Sequence, residues 1–371
     1  MKDAPTLTVN ARFMTQRLTG VQRYALEMCQ ALEPYLHLRL LHPRRPIQTP
    51  VDAPAQPLGR FGGHLWEQTE LGPQLAAERL WAFSSHQPEP LLWSPCNVGP
   101  VSIRAQIVTI HDLVSIRHPE WVSRKFHLYY QALLPLLAKR VRHVVTISEH
   151  SKMTIIDTLN VPEDKITVIP NGISKQFTRA SDAAIADIKT RYDLPETFIL
   201  SLGSLEPRKN LLGLLEAWLH LPEAERVPLV IAGGVGEKGV FGTFDKEALE
   251  HAGVRWLGYV PDSDLPALLS AAAVFAYVSL EEGFGLPPLE ALACSTPVVT
   301  SDHSALRENC AGEAVLVVPT DKESIAAGLQ QALGQSESLQ LRLARAERLK
   351  HRFNWQQSAA QLTELIRSYV H

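Results

Sequence analysis

The sequence predicts an α/β protein of two successive domains, each a mostly parallel sheet with helices packed on it. Three observations carry this. Apolar, β-rich runs alternate with helical patterns along almost the whole chain, as βαβ units require. At 371 residues the chain exceeds what one hydrophobic core ordinarily serves. The turn signal Asn171-Gly172 separates a first series of strands and helices from a second of the same style.

In the first series, strands are expected at Thr6–Asn10, Leu36–Leu41, Pro90–Trp93, Ala105–Ile110, His143–Ile147 and Ile166–Ile169. Helical patterns fall at Val21–Leu32, Leu65–Leu80, Ser123–Lys139 and His150–Leu159. The Pro-rich stretch Pro43 to Leu58 has no period and reads as a long surface loop. A join is expected near residues 172–182. The second series has strands at Phe198–Leu202, Leu229–Ala232, Val254–Trp256, Val274–Val278, Val298–Thr300 and Ala314–Val318. Its helices are expected at Lys209–Leu219, Asp245–His251, Ser263–Ala271, Leu289–Cys294, Glu323–Leu333 and Glu337–Lys350. A last helix, Asn354 to Val370, follows after every strand is used.

Composition narrows the class. The chain is 45% hydrophobic and 20% charged, ordinary for a soluble globular protein. No apolar run approaches the roughly 18 residues of a spanning helix, and the start has no apolar signal-like stretch. Four scattered cysteines, Cys29, Cys96, Cys294 and Cys310, form neither metal spacing nor a disulfide framework, which predicts reduced thiols and a cytoplasmic protein. Residues 1–180 hold 20 Lys+Arg against 14 Asp+Glu, and the remainder 16 against 25. The halves therefore carry +6 and −9. A basic, Trp-bearing first half suits an anionic membrane surface, provided Arg44, Arg45, Arg124, Lys125, Lys139, Arg140 and Arg142 share a face.

The densest chemistry lies in Glu282-Gly283-Phe284-Gly285-Leu286-Pro287-Pro288-Leu289-Glu290, between an expected strand and helix. Ligands of open α/β sheets bind at such strand-to-helix turns. Glycines allow close backbone approach there, and free helix N–H groups favour an anion. The first glutamate precedes the turn, and Glu290 is expected in the helix's first turn. Next comes Gly203-Ser204-Leu205-Glu206-Pro207-Arg208-Lys209-Asn210. Two cations at an expected helix start oppose the helix dipole, which suggests that they hold an anion such as diphosphate. Two weaker signals are Thr19-Gly20-Val21-Gln22-Arg23-Tyr24, where Gly20 opens the first helix, and His111-Asp112, which end a buried strand. No Walker loop, HExxH or GxSxG motif is present. This argues against phosphoryl transfer and zinc hydrolysis.

Taken in order along the chain, these segments resemble the retaining family-4 glycosyltransferases, which have the GT-B fold. The resemblance also covers Thr146-Ile147-Ser148-Glu149-His150-Ser151 and Val168-Ile169-Pro170-Asn171-Gly172-Ile173. Within the family, Leu65-Trp66-Glu67-Gln68, Ser94 to Pro100 and His118-Pro119-Glu120-Trp121 are similar to bacterial polysaccharide-assembly members, many of them mannosyltransferases.

The resemblance implies two Rossmann-like domains facing across a cleft, residues 1–175 for the acceptor and 176–353 for the donor, with the helix 354–371 crossing back to the first. It implies that Glu290 binds the nucleotide's ribose, and that Arg208 and Lys209 neutralise the leaving diphosphate. Backbone at Phe284, Gly285 and Leu286 meets the donor, and Glu282 binds donor-sugar hydroxyls. Gly20 lets the first domain approach the phosphates, and His111 contacts the transferred sugar. The base lies near Tyr259 and Val260. Ser204 stands where many relatives have an arginine, so Arg208 and Lys209 carry more of the charge here.

The expected reaction is retaining, metal-independent transfer of a sugar, mannose from GDP-mannose, to a glycan acceptor, lipid-linked, in bacterial polysaccharide or O-antigen assembly. Front-face attack is preferred because no unassigned carboxylate offers itself as nucleophile. No cofactor and no nucleic-acid partner are expected, and the protein is placed in the cytoplasm, peripheral at the inner membrane. The alternatives are a transferase using UDP-hexose or dTDP-rhamnose, a GT-B nucleotide-sugar epimerase, and a non-catalytic sugar-nucleotide sensor.

Overall fold

The computed structural model describes residues 5–16, 18–44, 46, 53–203, 206–233 and 246–369. Arg45, Ser204, Leu205, Asp245 and Val370, which figure in the sequence-based expectations, lie outside these. The chain divides into two compact units, residues 1–172 with 354–371, and residues 173–353.

The first unit is built on seven parallel strands: β1 Thr6–Asn10, β2 His37–His42, β3 Ala55–Pro57, β4 Leu92–Ser94, β5 Gln106–Thr109, β6 His143–Thr146 and β7 Ile166–Val168. Their order is β3-β2-β1-β4-β5-β6-β7. The winding reverses between β1 and β4, so the strands' carboxyl ends open a crevice there. Strand β3 falls inside the stretch expected to be a loop. Ala55 to Pro57 pair with Leu40 to His42 at the sheet's edge, where a proline breaks no central ladder.

The helix Gly20–Leu32 buries Tyr24, Ala25, Met28, Cys29, Ala31 and Leu32, a stripe of helical period against the sheet. The last helix, Trp355–Arg367, packs on it through Trp355, Ala359, Leu362 and Ile366. It thus returns to the first unit, as the resemblance implies. Asn354 starts this helix by accepting from the Gln356 N–H at 2.9 Å.

The second unit has six parallel strands: β8 Ile199–Leu202, β9 Leu229–Ala232, β10 Val254–Gly258, β11 Val274–Tyr277, β12 Val298–Ser301 and β13 Val315–Val317. Their order, β10-β9-β8-β11-β12-β13, reverses between β8 and β11. The core joins Ile199, Ile231, Val274 and Val299 of the sheet to Leu214, Trp218, Ile325 and Leu329 of the helices. Two helices, Asp182–Arg191 and Ser304–Cys310, were not expected. The first buries only Ile188, and the second begins on a left-handed residue, so neither shows a strong apolar period.

Candidate donor site

The reversal in the second sheet brings the ends of β8 and β11 side by side, and the motif residues meet there. Glu282, just past β11, is buried. Its Oε1 accepts from Lys209 Nζ at 2.7 Å and from the Tyr277 hydroxyl at 2.8 Å. Its Oε2 lies 3.0 Å from Arg208 Nη1. Lys209 also donates to Tyr277 Oη, and Arg208 Nε donates to Glu206 Oε2 at 2.8 Å. One carboxylate therefore gathers two cations and a phenol at the crevice.

The electrostatics follow from burial and from these partners. Burial alone would raise the Glu282 pKa, but Lys209 and Arg208 outweigh it and hold the carboxyl at about 2. Burial likewise opposes the Lys209 ammonium, yet Glu282 keeps its pKa above the ordinary lysine value. Burial and the Glu282 charge push the Tyr277 phenol up to about 12. At neutral pH the group is thus an anion, two cations and a neutral O–H. Such a carboxylate accepts hydroxyl hydrogen bonds and stabilises positive charge, but it has no proton to donate.

Two sequence expectations change here. Arg208 and Lys209 do not start the α-helix. They form a 3-10 turn, Pro207–Lys209, and Asn210 at φ 54° turns the chain before the helix Leu211–His220 begins. Their placement therefore does not oppose a helix dipole; the turn instead aims both cations at Glu282. Nor is Glu290 in a first helical turn. The helix runs Leu286–Ala293, because Pro287 and Pro288 sit in its first turn, where no backbone N–H is required. Glu290 is consequently buried on the second turn.

The loop between the glutamates is tightly held. Gly285 has φ 93°, and a Cβ there would meet Leu306 Cδ2 at 2.5 Å, so glycine is needed twice over. Asn309 Nδ2 donates to the Phe284 carbonyl at 2.8 Å, and Phe284 packs edge-on against Phe353 at 5.6 Å. Ser304 Oγ accepts from the Glu282 N–H at 3.3 Å. Ser304 itself is held at φ 55°, an uncommon conformation for a serine. Ser304 and Tyr277 are residues that the sequence reading missed. Tyr277 gave one signal: its polar end sits at the close of an otherwise apolar strand.

The remaining expected residues lie elsewhere. In the second unit, Tyr259 is exposed and Val260 buried just after β10, and Ser204 is outside the described residues. In the first unit, Gly20 is the first residue of its helix, and a Cβ there would meet nothing within 4 Å. Neither conformation nor packing within that unit demands a glycine. His111 follows β5 and is buried. Its Nε2–H donates to the Pro95 carbonyl at 2.8 Å, which leaves Nδ1 as the ring's acceptor. Burial lowers its pKa to about 4, only partly offset by that hydrogen bond, so the ring is neutral at pH 7. Tyr24 packs edge-on against it at 4.6 Å. Among the described residues, no cluster of three or more His, Cys, Asp or Glu side chains could hold a metal, and no helix is long and apolar enough to cross a membrane.

Known proteins place this architecture. Residues 18–177 match the family described as Glycosyltransferase Family 4, and residues 185–350 match Glycosyl transferases group 1. The chain is 30% identical over 364 residues to O-antigen chain mannosyltransferase B of Escherichia coli, covering 93% of this chain and 94% of that one. Among solved structures, sucrose-phosphate synthase from Thermosynechococcus elongatus superposes with a TM-score of 0.74 at 19% identity, over 98% of both chains. Anabaena HepE, solved with UDP and glucose, gives 0.72 at 17% identity, over 98% of this chain and all of that one (100%). Two Rossmann-like parallel sheets and a match along nearly the whole length lead to one conclusion: the chain belongs to the family-4 glycosyltransferases of GT-B fold and resembles the bacterial mannosyltransferases.

Proposed function

We propose that this glycosyltransferase moves mannose from GDP-mannose to a glycan acceptor, lipid-linked, in bacterial polysaccharide assembly, with retention of configuration and without a metal. The observation that carries the donor assignment is the Arg208–Lys209–Glu282 group at the switch point of the second sheet. A guanidinium supplies planar forked donors and an ammonium a point charge, together a good match for a diphosphate. That diphosphate is the leaving group, so the stabilisation grows as the glycosidic bond breaks. Glu282, held anionic, binds donor-sugar hydroxyls and faces the oxocarbenium-like charge. Glu290 binds the ribose, and the backbone from Phe284 to Leu286 meets the donor. Gly20 and His111 of the first unit serve the phosphates and the transferred sugar.

Mannose is supported by the E. coli relative's name, O-antigen chain mannosyltransferase B. A peripheral contact with anionic membrane is supported by the helix Arg124–Arg140, which contains no acidic residue and exposes Leu128 and Leu136 beside Arg124, Lys125, Lys139 and Arg140. The test is a thermal-shift panel of GDP, UDP and dTDP, followed by transfer in EDTA with the product's anomeric configuration read by NMR. GDP should stabilise most, because saturating ligand at a hundred times Kd adds about 2.7 kcal/mol. Stabilisation by UDP or dTDP instead, loss of transfer in EDTA, or an inverted product would each overturn the corresponding part.

A further inference from the structure

The second sheet has a recess at its opposite end. Thr197, Ala273 and Pro297 stand just before β8, β11 and β12, at the amino ends of these strands. With Gln335, Glu337 and Arg342 they line a cavity of about 170 Å³. The candidate donor residues follow the carboxyl ends of β8 and β11, so the length of the strands separates the two places. Thr197 and Gln335 are exposed at the rim, and Arg342, on the helix Leu339–Arg352, is half-buried.

The charges around the cavity leave Arg342 uncompensated. Its Nη1 donates to the Ser295 carbonyl at 3.2 Å. Its Nε is buried without a hydrogen bond, and among the described residues its guanidinium forms no ion pair. The neighbouring carboxylates are already taken. Glu337 pairs with Arg345, and Glu313 lies 3.2 Å from Arg345 and 3.5 Å from Arg348. Asp182 lies 3.2 Å from Arg179, and its side chain is 94% exposed. Burial, and then the nearby Arg179 cation, hold the Arg342 pKa below the ordinary arginine value. A half-buried cation without a counter-ion is costly, and a local conflict of this kind is expected chiefly at functional positions.

We propose that this cavity binds a small oxyanion of the phosphate class on Arg342, at a site separate from the donor crevice. The inference does not depend on which nucleotide sugar the enzyme uses. The volume equals that of about five or six waters, enough for a phosphate and too little for a nucleotide. A guanidinium fork matches two oxygens of such an anion. The Thr197 hydroxyl and the Gln335 amide at the rim are donors for the others. Glu337, neutralised by Arg345, is an acceptor for the P–OH of a hydrogen phosphate. Arg342 also holds Ser295, just past the helix Leu286–Ala293 that carries Glu290. An anion on Arg342 therefore bears on the far end of that helix.

The experiment titrates inorganic phosphate into the full chain, at an ionic strength held constant with chloride, and reads Kd by calorimetry. Arg208 and Lys209 also attract phosphate, so Lys209→Ala is titrated beside Arg342→Gln and Thr197→Trp. The last is a rim substitution that fills the mouth and leaves Arg342 in place. Wild type and Lys209→Ala should share one binding event, which Arg342→Gln and Thr197→Trp each weaken roughly tenfold or more, the scale of one lost charged hydrogen bond. No saturable phosphate binding in wild type overturns the site. An unchanged Kd in either cavity variant that folds overturns it too. Binding lost in Lys209→Ala but kept in Arg342→Gln places the phosphate in the donor crevice and also overturns it.

Discussion

Glu282 gathers Lys209, Arg208 and the Tyr277 hydroxyl on one buried carboxylate. Its place beside a glycine turn at a strand end was readable from the sequence alone. Arg208 and Lys209 were legible for the same local reason. Tyr277 and Ser304 were not, since their role is to hold Glu282, and only the paired strand ends bring them to it. Nor was the pairing of the buried Glu67 with Asn10, Arg12 and His64, which joins residues far apart in the chain. The Glu282 environment makes a titration prediction. The carboxyl sits at about 2 in the fold against 4.5 ordinarily. Its stabilising contribution is therefore complete above the ordinary value and lost as pH falls through about 2. The gap in urea-unfolding free energy between wild type and Glu282→Gln should narrow by about 1 kcal/mol from pH 7 to pH 4. A constant or widening gap over that range would mean that the carboxylate is not held by its cations.

At the scale of elements, every expected strand is present to within two residues at each end, because buried parallel strands read as short apolar runs. The failures have physical causes. The helix expected from Leu289 begins at Leu286, because Pro287 and Pro288 are accommodated inside its first turn. Asn210 splits what reads as one helical pattern, since a left-handed asparagine leaves the apolar period intact. Strand β3 is exposed along its whole length and has no alternation to reveal it. The turn at Gly285 is the element on which the loop between Glu282 and Glu290 depends. Gly285→Ala must bear a left-handed backbone and displace Leu306, and should cost about 2 kcal/mol or more. The urea midpoint of the variant measures this, and a midpoint equal to wild type would show that the loop tolerates another path.

For the molecule as a whole, the two-sheet order was legible because the βαβ alternation restarts after Gly172. The destination of the last helix came from the family resemblance and not from its own pattern, since an amphipathic helix with no strand to follow fits either unit. It belongs to the first, where Trp355, Leu362 and Ile366 are buried. A chain ending at Phe353 should lose on the order of 5 kcal/mol of burial from that unit alone. Hydrogen exchange should then quicken in β1 to β7 and stay unchanged in β8 to β13; equal quickening in both sheets would contradict the division. The proposed reaction depends on charge delivered to a leaving diphosphate at the second switch point. Its most direct test is the turnover of Lys209→Ala at saturating nucleotide sugar. The account predicts a fall of roughly a hundredfold, the scale of one lost transition-state contact, and a rate within a factor of two of wild type would contradict it.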